Sequence, residues 1–315
     1  MPKTIDTIPT VAVPIVSADA ALAPMSWTAR WTGDAATGRW NDVNGIELSR
    51  TTGDRATMVS AIARKARLSD GEAFRQRAID IYRAIRGALD ESSHLHIVRM
   101  WNHIPGIHDP LDSACDRYMH FNAGRFEAMC GWFGGADNIP GSVPAASGVG
   151  HHGQDLIVHA LATREPGTPV ENPQQIPAFR YSKRYGPLPP CFARATRVSH
   201  PEPALLIAGT AAITGEASRH IGDLGKQFEL TIENLGILIR SAIDVPSHVD
   251  PVALMEAVRI YVLRSDDFAA AATLARKAFA PTAQLELVRA DLCRTDLLVE
   301  IEGLANLSIL ATLSK

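Results

Sequence analysis

The chain has 315 residues, 46% of them hydrophobic and 21% charged, with a formal net charge of −3. That balance gives a globular protein enough apolar surface for a sizeable core, and it lacks the basic excess expected of a nucleic-acid binder. No apolar run approaches the roughly 20 residues of a membrane helix, and the N-terminal apolar patch is broken by Pro9 and Pro14, so neither a membrane protein nor a signal peptide is expected.

In chain order, residues 1 to about 65 read as extended segments between turns, with strands expected at 26–31, 45–49 and 57–64. Ser69-Asp-Gly-Glu72 opens a helix, with Asp or Ser as its cap. Phe74, Ala78, Ile81, Ile85 and Leu89 recur through it at helical spacing. A strand over 94–101 follows, then a helix over 112–132 in which Tyr118, Phe121, Asn122, Arg125 and Met129 share one face. Residues 134–153, rich in Gly, Pro, Ser and Ala, read as a loop or domain junction, and 155–162 as a strand. Beyond the proline-rich stretch 166–178, the apolar run 204–213 reads as a buried strand and 222–244 as a long amphipathic helix. A strand over 256–264 and an alanine-rich helix over 266–279 come next. The segments 284–293 and 297–306 suggest a hairpin joined at 294–296.

The two halves run through similar sequences of elements. The expectation is an α+β fold of two related domains, residues 1–165 and 166–315, each a mixed β-sheet with helices packed on one face. A single larger α/β sheet is the alternative.

The most unusual stretch is 180–194. Arg180, Lys183, Arg184, Arg194 and nearby Arg197 crowd together, with no acidic residue between Glu171 and Glu202. Pro187, Pro189 and Pro190 stiffen the backbone. Guanidinium forks on a stiff frame suit planar carboxylates, and Tyr181 and Tyr185 can lie against a ring. A pocket for a small ring-shaped anion with more than one carboxylate is one reading; a solvated basic loop is the other. Glu300 and Glu302 alternate in the apolar segment LLVEIEGLA, so both point to one face. A carboxyl in apolar surroundings keeps its proton longer, as a general acid requires, although strand glutamates commonly face solvent. Gly209-Thr210 interrupts a buried strand, which signals a bulge or close backbone approach. The four cysteines, Cys115, Cys130, Cys191 and Cys293, lack zinc-type spacing and read as reduced thiols. No metal site is expected from His151-His152 or from His94, His96, His103 and His108, and no GxGxxG, P-loop or GxSxG pattern occurs.

Several of these motifs together resemble the chorismatase family: RYMHFNAGR (117–125), RYSKRYGPLPPCFARA (180–195), Gly209-Thr210 followed by GEASRHIGD, Gln227 and Asn234-Leu235, and CRTDLLVEIEGLA (293–305). They span most of residues 115–305, and the block at 180–195 is the most specific. The last strand and the 222–235 helix also resemble the Rid (YjgF) family, whose fold chorismatases repeat in modified form. The reduced thiols point to a cytoplasmic location, and the resemblance implies an enzyme of two YjgF-like domains. Its substrate would be chorismate, with no metal, organic cofactor, nucleic acid, membrane or obligate protein partner. It implies that Glu300 protonates the enolpyruvyl group and that Cys293 and Gly209 steer the product, here toward 3-hydroxybenzoate and pyruvate. Tyr118, Tyr181, Arg184 and Arg194 would contact carboxylates and ring, with Arg125, Arg180 and Thr210 nearby. Ala212 stands where the family usually has Ser. Chorismate hydrolysis to the dihydrodiol, mixed 3- and 4-hydroxybenzoate formation, a Rid-like imine deaminase and a non-catalytic binder of aromatic acids are the competing functions.

Overall fold

The structure is a computed structural model that describes residues 13–42 and 44–310; the proline-broken patch around Pro9 lies outside these residues. Two one-turn helices, α1 (Ala18–Ala21) and α2 (Ala29–Thr32), precede the first sheet. That sheet contains β1 (Thr37–Asn41), β2 (Glu47–Thr52), β3 (Thr57–Ala63), β4 (His96–Pro105), β5 (Ala145–His151) and β6 (Leu156–Thr163), in the order β1-β2-β3-β6-β4-β5. Helix α3 (Gly71–Asp90) joins β3 to β4, and α4 (Arg117–Phe133) joins β4 to β5. The second sheet contains β7 (Thr168–Val170), β8 (Ala195–Val198), β9 (Ala204–Ala211), β12 (Met255–Val262), β13 (Gln284–Arg289) and β14 (Val299–Asn306). The two-residue strands β10 (Ile213–Thr214) and β11 (Ala217–Ser218) form a separate hairpin. Helices α5 (Leu224–Ala242) and α6 (Phe268–Ala278) complete the second half.

The second sheet runs β7-β8-β9-β14-β12-β13, which is the order of the first with each strand replaced by its counterpart. In both sheets only the last pair is parallel, β4 with β5 and β12 with β13. A parallel pair needs a crossover, which α4 and α6 supply. The fold is therefore α+β, with two halves of one topology.

Side-chain chemistry explains the elements. Asp70, Asp116 and Asp223 cap α3, α4 and α5, each accepting the backbone N–H three residues on. Phe74, Ala78, Ile81, Ile85 and Leu89 of α3 are fully buried on the first sheet, beside Val59, Met100 and Val158. Phe228, Leu235 and Leu238 of α5 do the same on the second, beside Leu205, Ile260 and Ile301. A Cβ at Gly124 of α4 would stand 2.5 Å from the Arg75 carbonyl of α3, so this glycine lets the two helices approach closely. The opposite faces of the sheets meet in a third core. There Trp101 and Leu161 pack with Leu206, Ala257 and Leu304, and Trp27 and Trp31 join them.

Four sequence expectations need correction. Residues 26–31 form a 3-10 turn and the start of α2, not a strand; the i, i+4 pair Trp27 and Trp31 stacks edge to face at 5.2 Å. The strand expected at 45–49 runs instead over Glu47–Thr52, and the exposed edge strand β1 lacks the apolar alternation that would have revealed it. The junction at 134–153 contains β5, whose Ala, Ser and Gly residues allow close sheet contact. The 284–306 hairpin does not exist. β13 and β14 both pair with β12, which lies between them, because strand alternation does not specify which neighbour a strand takes.

Candidate active site

A cavity opens where β5 of the first sheet runs beside β9 and β14 of the second. Its wall includes Tyr118 and Arg125 of α4, Ser147 of β5, Tyr181, Phe192 and Arg194, Gly209 of β9, and Cys293, Arg294 and Glu300.

Glu300 is 3% exposed. Burial pushes its carboxyl up to about 8, helped by the neighbouring carboxylate Glu302 and opposed by Arg99 and Arg194. The group therefore holds a proton at neutral pH while facing the cavity. The thiol of Cys293 lies 3.9 Å from Glu300 Oε2. Burial, and then Glu300, push that thiol up to about 12, so it is a neutral S–H and not a nucleophilic thiolate. The local backbone makes room for the acid. Along β14, Glu300 pairs with Ala211, Ile301 with Thr210 and Gly303 with Ile207. Ala208 and Gly209 thus oppose Glu302 alone, a bulge of the kind that re-aims side chains beside sites. A Cβ at Gly209 would stand 1.8 Å from Glu300 Oε1. Only glycine leaves space for the carboxyl.

Positive charge lines the same cavity. Arg194 is 4% exposed and its Nη2 donates to the Tyr181 hydroxyl at 2.7 Å and the Ile176 carbonyl at 3.2 Å, while its buried Nε–H has no partner. Arg125 donates to Asn122 Oδ1 at 2.7 Å and lies over the Phe121 and Phe192 rings at 5.3 and 5.7 Å, again with an unpartnered Nε–H. Buried N–H groups without acceptors carry an energetic cost, which an anion in the cavity would relieve. Tyr118 is partly buried, and desolvation pushes its phenol up and keeps it a neutral donor. Arg294 stacks 4.1 Å over the Tyr185 ring and donates to the Glu216 carbonyl at 2.7 Å. Glu216 in turn accepts from the backbone and hydroxyl of Ser182. The basic loop is thereby fastened to the β10–β11 hairpin.

The chain thus brings Tyr118, Arg125, Tyr181, Arg194, Gly209, Cys293 and Glu300 around one cavity. Three sequence candidates lie elsewhere. Thr210 points to the other side of β9 by strand alternation and bonds the Ala208 carbonyl. Arg184 is exposed and borders an adjoining groove with His108, Ile221 and Asp296, its guanidinium 5.6 Å from the Tyr185 ring; that groove meets the cavity at Tyr185, Cys293 and Arg294. Arg180 is exposed as well. Gln227 and Asn234 do not face the cavity. Gln227 bonds the Asp296 carbonyl and Leu298 N–H, and Asn234 bonds the Ala211 and Ile213 carbonyls, so both brace the backbone around the acid. Sequence reasoning missed Arg294, although it adjoins Cys293, and Ser147, which sat in the supposed loop.

Among the described residues, Asp112, Cys115 and His120 bring potential ligand atoms within 4.8 Å of one another. Asp112 Oδ1 accepts the Ala114 and Cys115 N–H groups and Oδ2 meets His120 at 2.7 Å, so both oxygens are already engaged. No helix among the described residues is long and apolar enough to cross a membrane.

The family profile described as "Chorismatase FkbO/Hyg5-like, N-terminal" matches residues 34–162. A 3-hydroxybenzoate synthase of Streptomyces hygroscopicus is 36% identical over 227 residues, covering 68% of this chain and 65% of its own length. A chorismatase of Streptomyces rapamycinicus is 32% identical over 246 residues, covering 76% of this chain and 72% of its own. The chain therefore spans just under two thirds of the first relative and more than two thirds of the second. A crystal structure of a chorismatase superposes with a TM-score of 0.72 at 29% identity, over 85% of this chain and 78% of that one.

Proposed function

Because this chain belongs to the chorismatase family, we propose that it cleaves chorismate to 3-hydroxybenzoate and pyruvate, with Glu300 as the acid. The observation that carries this reading is a buried, protonated carboxyl facing a cavity that also holds Arg125 and Arg194 with unpartnered N–H groups. Chorismate is a cyclohexadiene with two carboxylates, one on the ring and one on an enolpyruvyl ether. The two guanidinium groups fit one carboxylate each, and Tyr118 and Tyr181 border the ring. A division of the chain near residue 165, each half contributing a wall of the cavity, and a cytoplasmic location belong to the same reading.

Glu300 gives its proton to the enolpyruvyl methylene, leaving an oxocarbenium ion. The carboxylate it becomes then lies beside that cation in a site sheltered from water, where a fixed charge is worth most. The adjacent ring hydroxyl attacks the ether-bearing carbon and its proton returns to Glu300. The ether C–O bond breaks, and its electrons form the ketone of pyruvate. The resulting ring epoxide opens at the carbon that carried the attacking hydroxyl, its oxygen takes up a proton, and the carbon that keeps the oxygen releases its hydrogen as a proton to give 3-hydroxybenzoate. Attack by water instead would give the dihydrodiol. Cys293, a neutral thiol beside Glu300, occupies space that water would need. Arg184, being exposed, serves the entrance and not the ring contacts, and Thr210 supports the strand.

Chromatography of chorismate incubated with the purified protein tests the proposal. Equimolar pyruvate and 3-hydroxybenzoate are expected. Intact chorismate would overturn the function, and dihydrodiol as the main product would overturn the branch.

A further inference from the structure

We infer that Arg99 and Glu302, neither of which borders the cavity, are positioning residues for the Glu300 acid, acting through Ser147 and the Gly209 bulge. The inference rests on the reading of Glu300 as the proton donor.

Glu302 is 1% exposed, yet four donors converge on its two oxygens. Trp101 Nε1 at 3.1 Å and the Tyr261 hydroxyl at 2.9 Å reach Oε1; Arg99 Nη2 at 2.7 Å and the Ser147 hydroxyl reach Oε2. That is the pattern of a carboxylate with its acceptor capacity filled. Arg99 is equally confined. Its Nη1 bonds the Met100 carbonyl and its Cζ lies 4.8 Å over the Trp101 ring. The pair links β4 of the first half to β14 of the second.

Ser147 transmits this placement. Its hydroxyl donates to Glu302 and accepts from Arg99 Nη2 at 2.6 Å and from the Gly209 N–H at 2.8 Å. One donor and two lone pairs are thereby used, so this cavity-wall hydroxyl has nothing left for a ligand. The Gly209 N–H belongs to the bulge, where Ala208 and Gly209 together face Glu302. Ser147 supplies the acceptor that the ladder omits. With Gly209 fixed, its bare α-carbon fixes the space that Glu300 Oε1 fills.

The charge of Glu302 acts on Glu300 as well. The groups facing Glu300 are Glu302 on the same strand, Cys293 on the preceding turn, Arg99 from β4, Arg194 ahead of β8 and Tyr118 from α4. Glu302 itself is faced by Arg99, Tyr261 and Arg259. Of these, Glu302 is the neighbouring charge that favours protonated Glu300, and Arg99 and Arg194 oppose it. Without the Glu302 charge no like charge offsets the two arginines, and Glu300, still raised by burial, should lose its proton at lower pH.

The test is a carbon-13 NMR titration of glutamate carboxyls in the ligand-free full chain, with the Glu300 signal assigned by its loss in Glu300→Gln. Glu302→Gln is expected to lower the Glu300 midpoint by about one pH unit or more and to move the upper limb of kcat/KM against pH equally. A folded variant with an unmoved midpoint overturns the inference. Ser147→Ala leaves the Arg99–Glu302 ion pair in place and removes the hydroxyl that joins it to Gly209. It should lower kcat by about tenfold or more, as expected when a catalytic group loses its alignment, with KM little changed and the circular dichroism intact. An unchanged kcat overturns the Ser147 link. If Glu302→Gln does not fold, the kcat of Ser147→Ala decides. The titration needs no substrate, so a wild-type protein inert toward chorismate would count against the proposed function while the midpoint still decides this inference.

Discussion

Replacing Glu300 by Gln should make the protein more stable in alkali, by an amount that can be worked from the site. In the folded chain Glu300 holds its proton to about 8, against 4.5 for an ordinary glutamate. Below pH 4.5 both the folded and unfolded chains are protonated there, and the group costs no charge burial. As pH rises toward 8 only the unfolded chain ionises, so stability falls; above 8 the loss is complete. The gap of about 3.5 pH units corresponds to about 5 kcal/mol in all, at about 1.4 kcal/mol each. About 3 kcal/mol of that is lost between pH 6 and pH 9. Glutamine has nearly the same shape and never ionises, so Glu300→Gln should escape this loss. Differential scanning calorimetry of both proteins at pH 6 and pH 9 measures it. The melting temperature of the variant relative to wild type should be higher at pH 9 than at pH 6, by roughly 5 °C or more at ~2–4 °C per kcal/mol. An equal difference at the two pH values would mean that Glu300 titrates normally, and the acid role would fall with it. The same variant should lose turnover by about 100-fold to 10,000-fold, the usual contribution of a general acid.

Gly209→Ala brings a methyl group to 1.8 Å from Glu300 Oε1; pyruvate release should drop by about 100-fold or more while the far-ultraviolet circular dichroism stays that of wild type. Cys293→Ala opens space beside the acid. The ratio of dihydrodiol to 3-hydroxybenzoate, read by chromatography, should rise, and an unchanged ratio would contradict the product-steering role. Arg194→Lys keeps the charge but gives up the fork and the bond to Tyr181; KM for chorismate should rise by about tenfold or more, as for loss of a charge-assisted hydrogen bond, and an unchanged KM would remove Arg194 from the carboxylate clamp. Turnover by the wild type should decline as pH rises through about 8, as Glu300 loses its proton; a rate still climbing above pH 9 would contradict a carboxylic-acid donor.

Much of this protein is written in local patterns. Helical spacing located α3, α4 and α5, because burial of one stripe forces a 3.6-residue period, and alanine content located α6. The alternation of LLVEIEGLA placed Glu300 and Glu302 on one face of a strand, and the basic, proline-stiffened block holds Tyr181 and Arg194, which the fold brings to the cavity. The similarity of the two halves was legible as an order of elements, and it reappears as an identical order of strands.

Tertiary structure decided what local patterns do not encode. Whether Glu300 is an acid depends on burial and on Glu302, Arg99 and Arg194, and Arg99 is about 200 residues away in the chain. Ser147 looked like loop because small residues allow both turns and close sheet contact; only the approach of β5 to β9 makes it a support for Gly209. Arg184 and Arg194 are alike in sequence, yet one is solvated and the other buried against Tyr181. Residue type and spacing fix which groups can titrate or bind. Dielectric surroundings and through-space neighbours fix which of them do, and those exist only once distant segments have packed together.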